Sequence, residues 1–213
     1  MAQAAEKIAA IRVSLPAGVS LLAVSKYQSV DAIRDAYSVG QRDFGESHVQ
    51  ELRQKIDALS TDCPDIRWHF IGHLQTNKVR DLLRCDVALI QSVDSEHLMA
   101  TLEKEAALQL KEVRILLEVH VAREESKSGF TPEQLHSLDL SRYPHLHVQG
   151  VMGMASHTED PEEIRRCFEA IRKASRALPG TTVSMGMSSD YPIAIECGST
   201  MVRIGSAIFG VRG

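Results

Sequence analysis

Short apolar, β-branched runs recur along the chain between segments whose apolar positions return every three or four residues. The runs fall at Leu21–Ser25, Arg42–Gly45, Trp68–Gly72, Leu89–Val93, Arg114–Val121, Val148–Met154, Thr182–Met187 and Met201–Ile204, and each reads as a strand. The segments between them carry helix start and stop signals. Ser29 caps Val30–Val39, which Gly40 ends, and Asp94 or Ser95 opens Glu96–Leu110. Thr131-Pro132 is a threonine cap with proline at the first helical position, and Asp160-Pro161 repeats the device before Ile164–Leu178. The opening "MAQAAEKIAAIRVSL" reads as an amphipathic helix ahead of the first strand.

Eight strands alternating with helices imply parallel βα units. An open doubly wound sheet and a closed (β/α)8 TIM barrel both fit. The barrel is favoured by the strand count and by the lack of a glycine-rich dinucleotide turn. Such a barrel typically needs about 250 residues, so 213 residues predict short loops. No linker, low-complexity stretch or charge block divides the chain, which predicts one domain over 1–213.

Composition narrows the function classes. The chain is 44% hydrophobic and 24% charged, an ordinary globular balance. A formal charge of −4 leaves no basic footprint for nucleic acid or an anionic membrane. No apolar run approaches the roughly 18 residues that cross a bilayer, and the first fifteen residues do not read as a signal peptide. Cys63, Cys85, Cys167 and Cys197 lack disulfide or metal spacing, which predicts free thiols in a cytoplasmic setting.

In such barrels the chemistry sits at the C-terminal ends of the strands, and phosphate sites often follow strands seven and eight. Strand one ends at Lys26, an odd residue after a run buried on both faces. It either snorkels to water or is an amine nucleophile, its pKa lowered by a desolvated stem. After strand seven come Ser188, Ser189 and Asp190 at a helix start, offering hydroxyls and free N–H groups to an anion. After strand eight, Gly205 permits close backbone approach and Ser206 adds an N–H donor. The plainer alternative makes Ser189 an N-cap and Gly205 a turn glycine.

A lysine and a phosphate cradle on one barrel mouth suit a ligand with an aldehyde at one end and a phosphate at the other. Pyridoxal phosphate is such a ligand. Arg203, two residues before Gly205, points into the barrel by strand alternation. There it either faces the pyridine nitrogen, keeping it unprotonated, or pairs with a core carboxylate such as Glu118 or Glu46. His69 and His73 lie four apart on strand-like sequence and need not share a face, and no acidic or cysteine partner stands at metal spacing. The "SKSGF" segment after strand five, Ser126 to Gly129, reads as a mouth loop.

The stretches "LLAVSKYQ", "FGESHVQEL", "WHFIGHLQTNK", "EESKSGF" and "SMGMSSDYPIAIECGSTMVRIGSAIFG" together resemble the YggS/PROSC family of pyridoxal phosphate homeostasis proteins. The resemblance spans nearly the whole chain. It implies a fold-type III barrel like the N-terminal domain of alanine racemase, without the C-terminal β-domain. It places the cofactor on Lys26 as a Schiff base, phosphate contacts on Ser188, Gly205 and Ser206, and Arg203 near the pyridine nitrogen. Ser47, His48, His120 and Ser156 depart from the family's usual residues, which puts contacts to the ring from that side in doubt. The resemblance further implies a non-catalytic carrier that buffers pyridoxal phosphate or delivers it to apo-enzymes, and a barrel of this size with no added interface element is compatible with a monomer. The alternatives are a small amino-acid racemase and a cofactor-free lysine aldolase. Racemisation needs a base on each face of the carbanion, and of Tyr27, Tyr37, Tyr143 and Tyr191 only Tyr191 stands as a second base.

Overall fold

The structure, a computed structural model, describes residues 2–121 and 128–210, with side chains from residue 4. Eight parallel strands close into a barrel in chain order: β1 (Ser20–Val24), β2 (Asp43–Glu46), β3 (Arg67–Phe70), β4 (Val87–Val93), β5 (Val113–Val119), β6 (Leu146–Gly153), β7 (Thr182–Ser184) and β8 (Met201–Ile204). β8 closes on β1, with Leu22 opposite Arg203 and Ala23 opposite Ile204. Around it run α1 (Ala2–Ser14), α2 (Val30–Ser38), α3 (Val49–Leu59), α4 (Val79–Leu83), α5 (Glu96–Gln109), α6 (Pro132–Ser137), α7 (Pro161–Ala174), α8 (Tyr191–Glu196) and α9 (Ser206–Phe209). The barrel expected from the alternation is the one observed, with α1 as the extra helix before it. No helix among the described residues is long and apolar enough to cross a membrane.

Local chemistry explains the helix starts. Ser29 accepts from the Ala32 N–H, Ser95 from Leu98, and Asp160 from Glu162. Thr131 and Gln134 form a full capping box. Each such cap contributes about 1 kcal/mol. Of the two candidates for opening α5, Ser95 is the cap, and Asp94 instead accepts from the Ser95 hydroxyl. α7 buries Ile164, Cys167, Phe168, Ile171 and Ala174, a stripe at helical spacing. It starts at Pro161 and stops at Ala174, short of the expected Leu178. There the Ser175 hydroxyl turns back to the Arg172 carbonyl, and a 3-10 turn over Ser175–Ala177 follows.

Most strand ends differ from expectation by a residue or two, and β3 stops at Phe70 and not Gly72; three ends bear on the site or its surroundings. β1 stops at Val24, so Lys26 lies in the turn beyond it. β7 stops at Ser184 and does not reach Met187, because Gly186 turns the chain at φ +95°. A side chain there would also put its Cβ 2.6 Å from that of Ala194. β5 stops at Val119, where the chain pairs instead with the returning segment: His120 N–H donates to the Phe130 carbonyl at 2.9 Å.

Inside the barrel, Leu89, Leu116 and Met152 form an apolar cluster apart from the main core between barrel and helices. Beside it a hydrogen-bonded row crosses from β2 to β8. His69 bridges Asp43 (3.2 Å) and Gln91 (2.9 Å), Gln91 accepts from the Ser184 hydroxyl (2.7 Å), and Ser184 accepts from Arg203 (2.9 Å). Its buried members, His69, Gln91, Ser184 and Arg203, use the row to satisfy polar groups buried by the fold.

Candidate functional site

Lys26 and Tyr27 are the central residues of a turn closed by the Gln28 N–H on the Ser25 carbonyl at 2.9 Å. Tyr27 sits at φ +62°, as the second central residue of a type II turn requires, where glycine is usual. Lys26 is exposed, so the expectation of a desolvated stem is not met: two residues past the strand, the side chain has left the barrel wall.

A charged cluster stands behind this turn. Lys55, on α3 and 5% exposed, donates to the Ser25 carbonyl (2.7 Å), Glu46 Oε1 (2.8 Å) and Glu51 Oε1 (2.7 Å). The Ser25 hydroxyl also donates to Glu46 Oε1 at 2.5 Å, and the Tyr27 N–H donates to Glu51 Oε1 at 2.5 Å. Burial pushes the Glu46 carboxyl up, against the opposing pull of Lys55 and Ser25. Glu46 is therefore Lys55's partner and not Arg203's.

The other end of the site lies after β7 and β8. Ser188 is half-buried, and its hydroxyl accepts from the Ala207 N–H in the first turn of α9 at 3.3 Å. This contact ties the two turns together and leaves the Ser188 proton able to donate. Ser206 opens α9, so its N–H is one that a helix cannot satisfy internally. Ser189 is exposed and makes no side-chain hydrogen bond among the described residues. It is not the cap of α8, a position held by Asp190, whose Oδ1 accepts from Met187 N–H at 2.6 Å. Gly205 is at φ −120°, so its conformation does not demand glycine. Its reason is contact, since a Cβ would lie 3.3 Å from the Val24 Cβ and carbonyl oxygen. The missing side chain lets the end of β8 lie against β1.

Arg203 does point into the barrel, 5% exposed. It donates to the carbonyl and hydroxyl of Ser184 (2.7 and 2.9 Å) and to the Gly153 carbonyl (3.0 Å). Those bonds use three of its five N–H donors. Burial lowers its pKa to about 10, opposed by the charges of Glu118 and Asp190, so it stays a cation at neutral pH. The expected Glu118 pairing is thus electrostatic and not a direct ion pair. Burial pushes the Glu118 carboxyl up to about 7; Asp94 adds to the rise and Arg203 opposes it. Glu118 and Asp94 were not singled out by sequence reasoning as parts of the mouth. Nor was Lys55, although the Glu51–Lys55 spacing of four on one helix is a readable ion-pair signal.

His69 and His73 are on different faces, His69 inside the barrel and exposed His73 3.3 Å from Asp94. A cavity of about 390 Å³ between the loops after β2 and β3 is lined by Ser47, His48, Arg53, Phe70, His73 and Lys78. It includes neither Lys26 nor the serine turns. The His48 ring lies 5.4 Å from that of Tyr27, while His120 is half-buried beyond β5. Of the expected mouth loop, Ser126 and Lys127 lie outside the described residues; Ser128 and Gly129 line a separate surface cavity with His73 and Asp94.

Comparison with known proteins adds ancestry to this geometry. A family model described as alanine racemase, N-terminal domain, matches residues 1–213. A pyridoxal phosphate homeostasis protein of Haemophilus influenzae is 39% identical over 203 residues, covering 91% of this chain and 85% of its own. Its Helicobacter pylori namesake is 40% identical over 195 residues, covering 90% and 87%. Among solved structures, PipY of Synechococcus elongatus with pyridoxal phosphate bound is 36% identical with a TM-score of 0.88, over 98% of this chain and all of its own. Alanine racemase from E. faecalis, 19% identical, matches with a TM-score of 0.77 over 99% of this chain and 58% of its own, a likeness of fold.

Proposed function

This chain belongs to the alanine racemase N-terminal-domain family, among the pyridoxal phosphate homeostasis proteins, and we propose that it binds pyridoxal 5'-phosphate reversibly to buffer or deliver it. The bound cofactor would supply an aldehyde able to condense with an amine. One observation carries the reading. The pairing of β8 on β1 sets the turn of exposed Lys26 beside the joined turns of Ser188 and Ser206. The residue that carries the amine and the turns that carry the anion donors thereby follow adjacent strands.

The residues fit the group. Lys26 offers the amine, Ser188 a hydroxyl proton, Ser206 a backbone N–H, and Gly205 the room for the turn. Ser189 adds a second hydroxyl from the same loop. Arg203, held by Ser184 and Gly153, would supply a fixed cation inside the barrel. We assign the function to one domain over 1–213, acting as a cytoplasmic monomer that serves apo-enzymes of pyridoxal phosphate.

The proposal is a carrier and not a turnover enzyme. Racemisation needs a base on each face of the reacting carbon. The Tyr37 hydroxyl is committed to Asp65 and that of Tyr143 to Glu96. Tyr27 is turned against His48, which leaves Tyr191 as the second-base candidate among the described tyrosines.

Purified protein should be yellow, and borohydride should fix the cofactor on Lys26. Lys26→Ala should be colourless and unlabelled. Label on Lys78 or Lys127 would overturn the site. Racemisation of L-amino acids at about 10 per second, lost in Tyr191→Phe, would overturn the carrier reading.

A further inference from the structure

The turn that presents Lys26 is gripped on both sides from outside the barrel. On its N-terminal side, the Ser25 carbonyl accepts from Lys55 and the Ser25 hydroxyl donates to Glu46. On its C-terminal side, the Tyr27 N–H is held by Glu51. Lys55 joins the two grips, touching Glu46 and Glu51 at once. Glu46 is fully buried, and its Oε2 has no hydrogen-bond partner. A buried carboxylate with an orphaned oxygen is costly, and so is a tyrosine in the left-handed region. Two unfavourable features flank one residue, and both are fixed by the same three side chains.

We propose that Glu46, Glu51 and Lys55 are positioning residues for Lys26: together they hold a strained turn closed so that its amine is presented toward the neighbouring serine turns. The proposal rests on the cofactor reading above. Without the Glu51 grip, Tyr27 relaxes to negative φ, and the direction of the preceding lysine changes with it. Glycine adopts positive φ without that cost. Tyr27→Gly should therefore make Glu51 dispensable.

The test uses the full chain in four forms: wild type, Glu51→Ala, Glu51→Gln, and Glu51→Ala with Tyr27→Gly. Covalent loading is read by absorbance and borohydride labelling at limiting pyridoxal phosphate. Non-covalent binding is read with 4'-deoxypyridoxine 5'-phosphate, which lacks the aldehyde. In ligand-free, nitrogen-15-labelled protein, the amide–Hα coupling of Tyr27 reports φ directly.

Glu51→Ala should load roughly tenfold more weakly, bind the deoxy analogue as wild type does, and show an altered Tyr27 coupling. Glu51→Gln, which keeps an acceptor for Tyr27, should behave as wild type. The glycine double variant should regain most of the loading. Equal losses for both ligands, or a loss that Tyr27→Gly does not restore, would reduce the cluster to general support of the fold and overturn the proposal. So would unchanged loading in Glu51→Ala. If wild type itself does not load at Lys26, the cofactor reading fails; if it does and the variants do not separate, only the positioning role fails.

Discussion

The turn at Lys26 is held by charge: a buried ammonium and two carboxylates brace its backbone from β2 and α3. The turns at Ser188 and Ser206, on neighbouring strand ends, are held by a neutral hydroxyl, backbone N–H groups and close packing of Gly205 on Val24. The contrast follows from what each end must do. An exposed amine on a flexible stem needs its backbone fixed, and a buried ion cluster fixes it rigidly because breaking it is expensive. An anion needs donors that converge without bringing counter-charges, and helix starts supply them. One end of the site should therefore be brittle and the other tunable.

Removing a charge from the braced end should have the largest effect. Lys55→Met leaves Glu46 and Glu51 uncompensated, and breaking a buried pair in this way costs about 3–5 kcal/mol. The melting temperature should fall on the order of 10 °C; a loss of only a degree or two would mean that the cluster is not braced by charge.

Glu118, on β5 and within the field of Arg203, sharpens the comparison through pH. Its folded pKa is raised from 4.5 to about 7, so the folded state holds its proton more tightly than the unfolded chain. Its contribution to stability is full below 4.5 and is lost as pH rises through about 7, a change on the order of 3 kcal/mol. Glu118→Gln should flatten thermal stability over that window, and an unchanged pH slope would disprove the assignment.

At the tunable end, Ser188→Ala should weaken pyridoxal phosphate binding by roughly tens-fold, from about 1.5–3 kcal/mol for a hydrogen bond to a charged group. Pyridoxal without its phosphate should bind as before, with the melting temperature nearly constant. Equal loss for both ligands would show that Ser188 acts through Ala207 to support the loop. The smallest effect is expected for Gly205→Ala, whose Cβ must be accommodated against Val24 by a shift of a few tenths of an ångström. Stability should change by about 1 kcal/mol, read by denaturant titration.

The barrel was legible because its signals are local and repeated. Alternating periods, a serine at 29 and 95, and Thr131-Pro132 each specify a nearby backbone, and β8 was read over its full length, Met201–Ile204. The strand ends were less legible, since the turn at Gly186 takes a positive φ and is also crowded by Ala194 and Tyr191 on a later helix, which its neighbours in sequence do not announce. Lys26, Ser188 and Ser206 could be named from their places after strands, and Arg203 from alternation within one. The brace could not, because Lys55 reaches a carbonyl thirty residues away. Glu118 could be named as a core carboxylate but its titration could not, because it comes from burial and from Asp94 on another strand end, which no spacing encodes.

Closure of β8 on β1 also sets a clock. The Ser20 hydroxyl meets the Thr200 carbonyl across 180 residues of chain, so the seam that borders the site is among the most distant contacts the fold must make. Contacts of such separation are slow to form, and during synthesis the first strand leaves the ribosome long before the eighth. A nascent chain thus displays Lys26 while its anion-binding neighbours are still unmade. On the proposed reading, capture of a reactive phosphorylated aldehyde at this seam would report a finished barrel, and a stalled or truncated chain would lack the grip to sequester it.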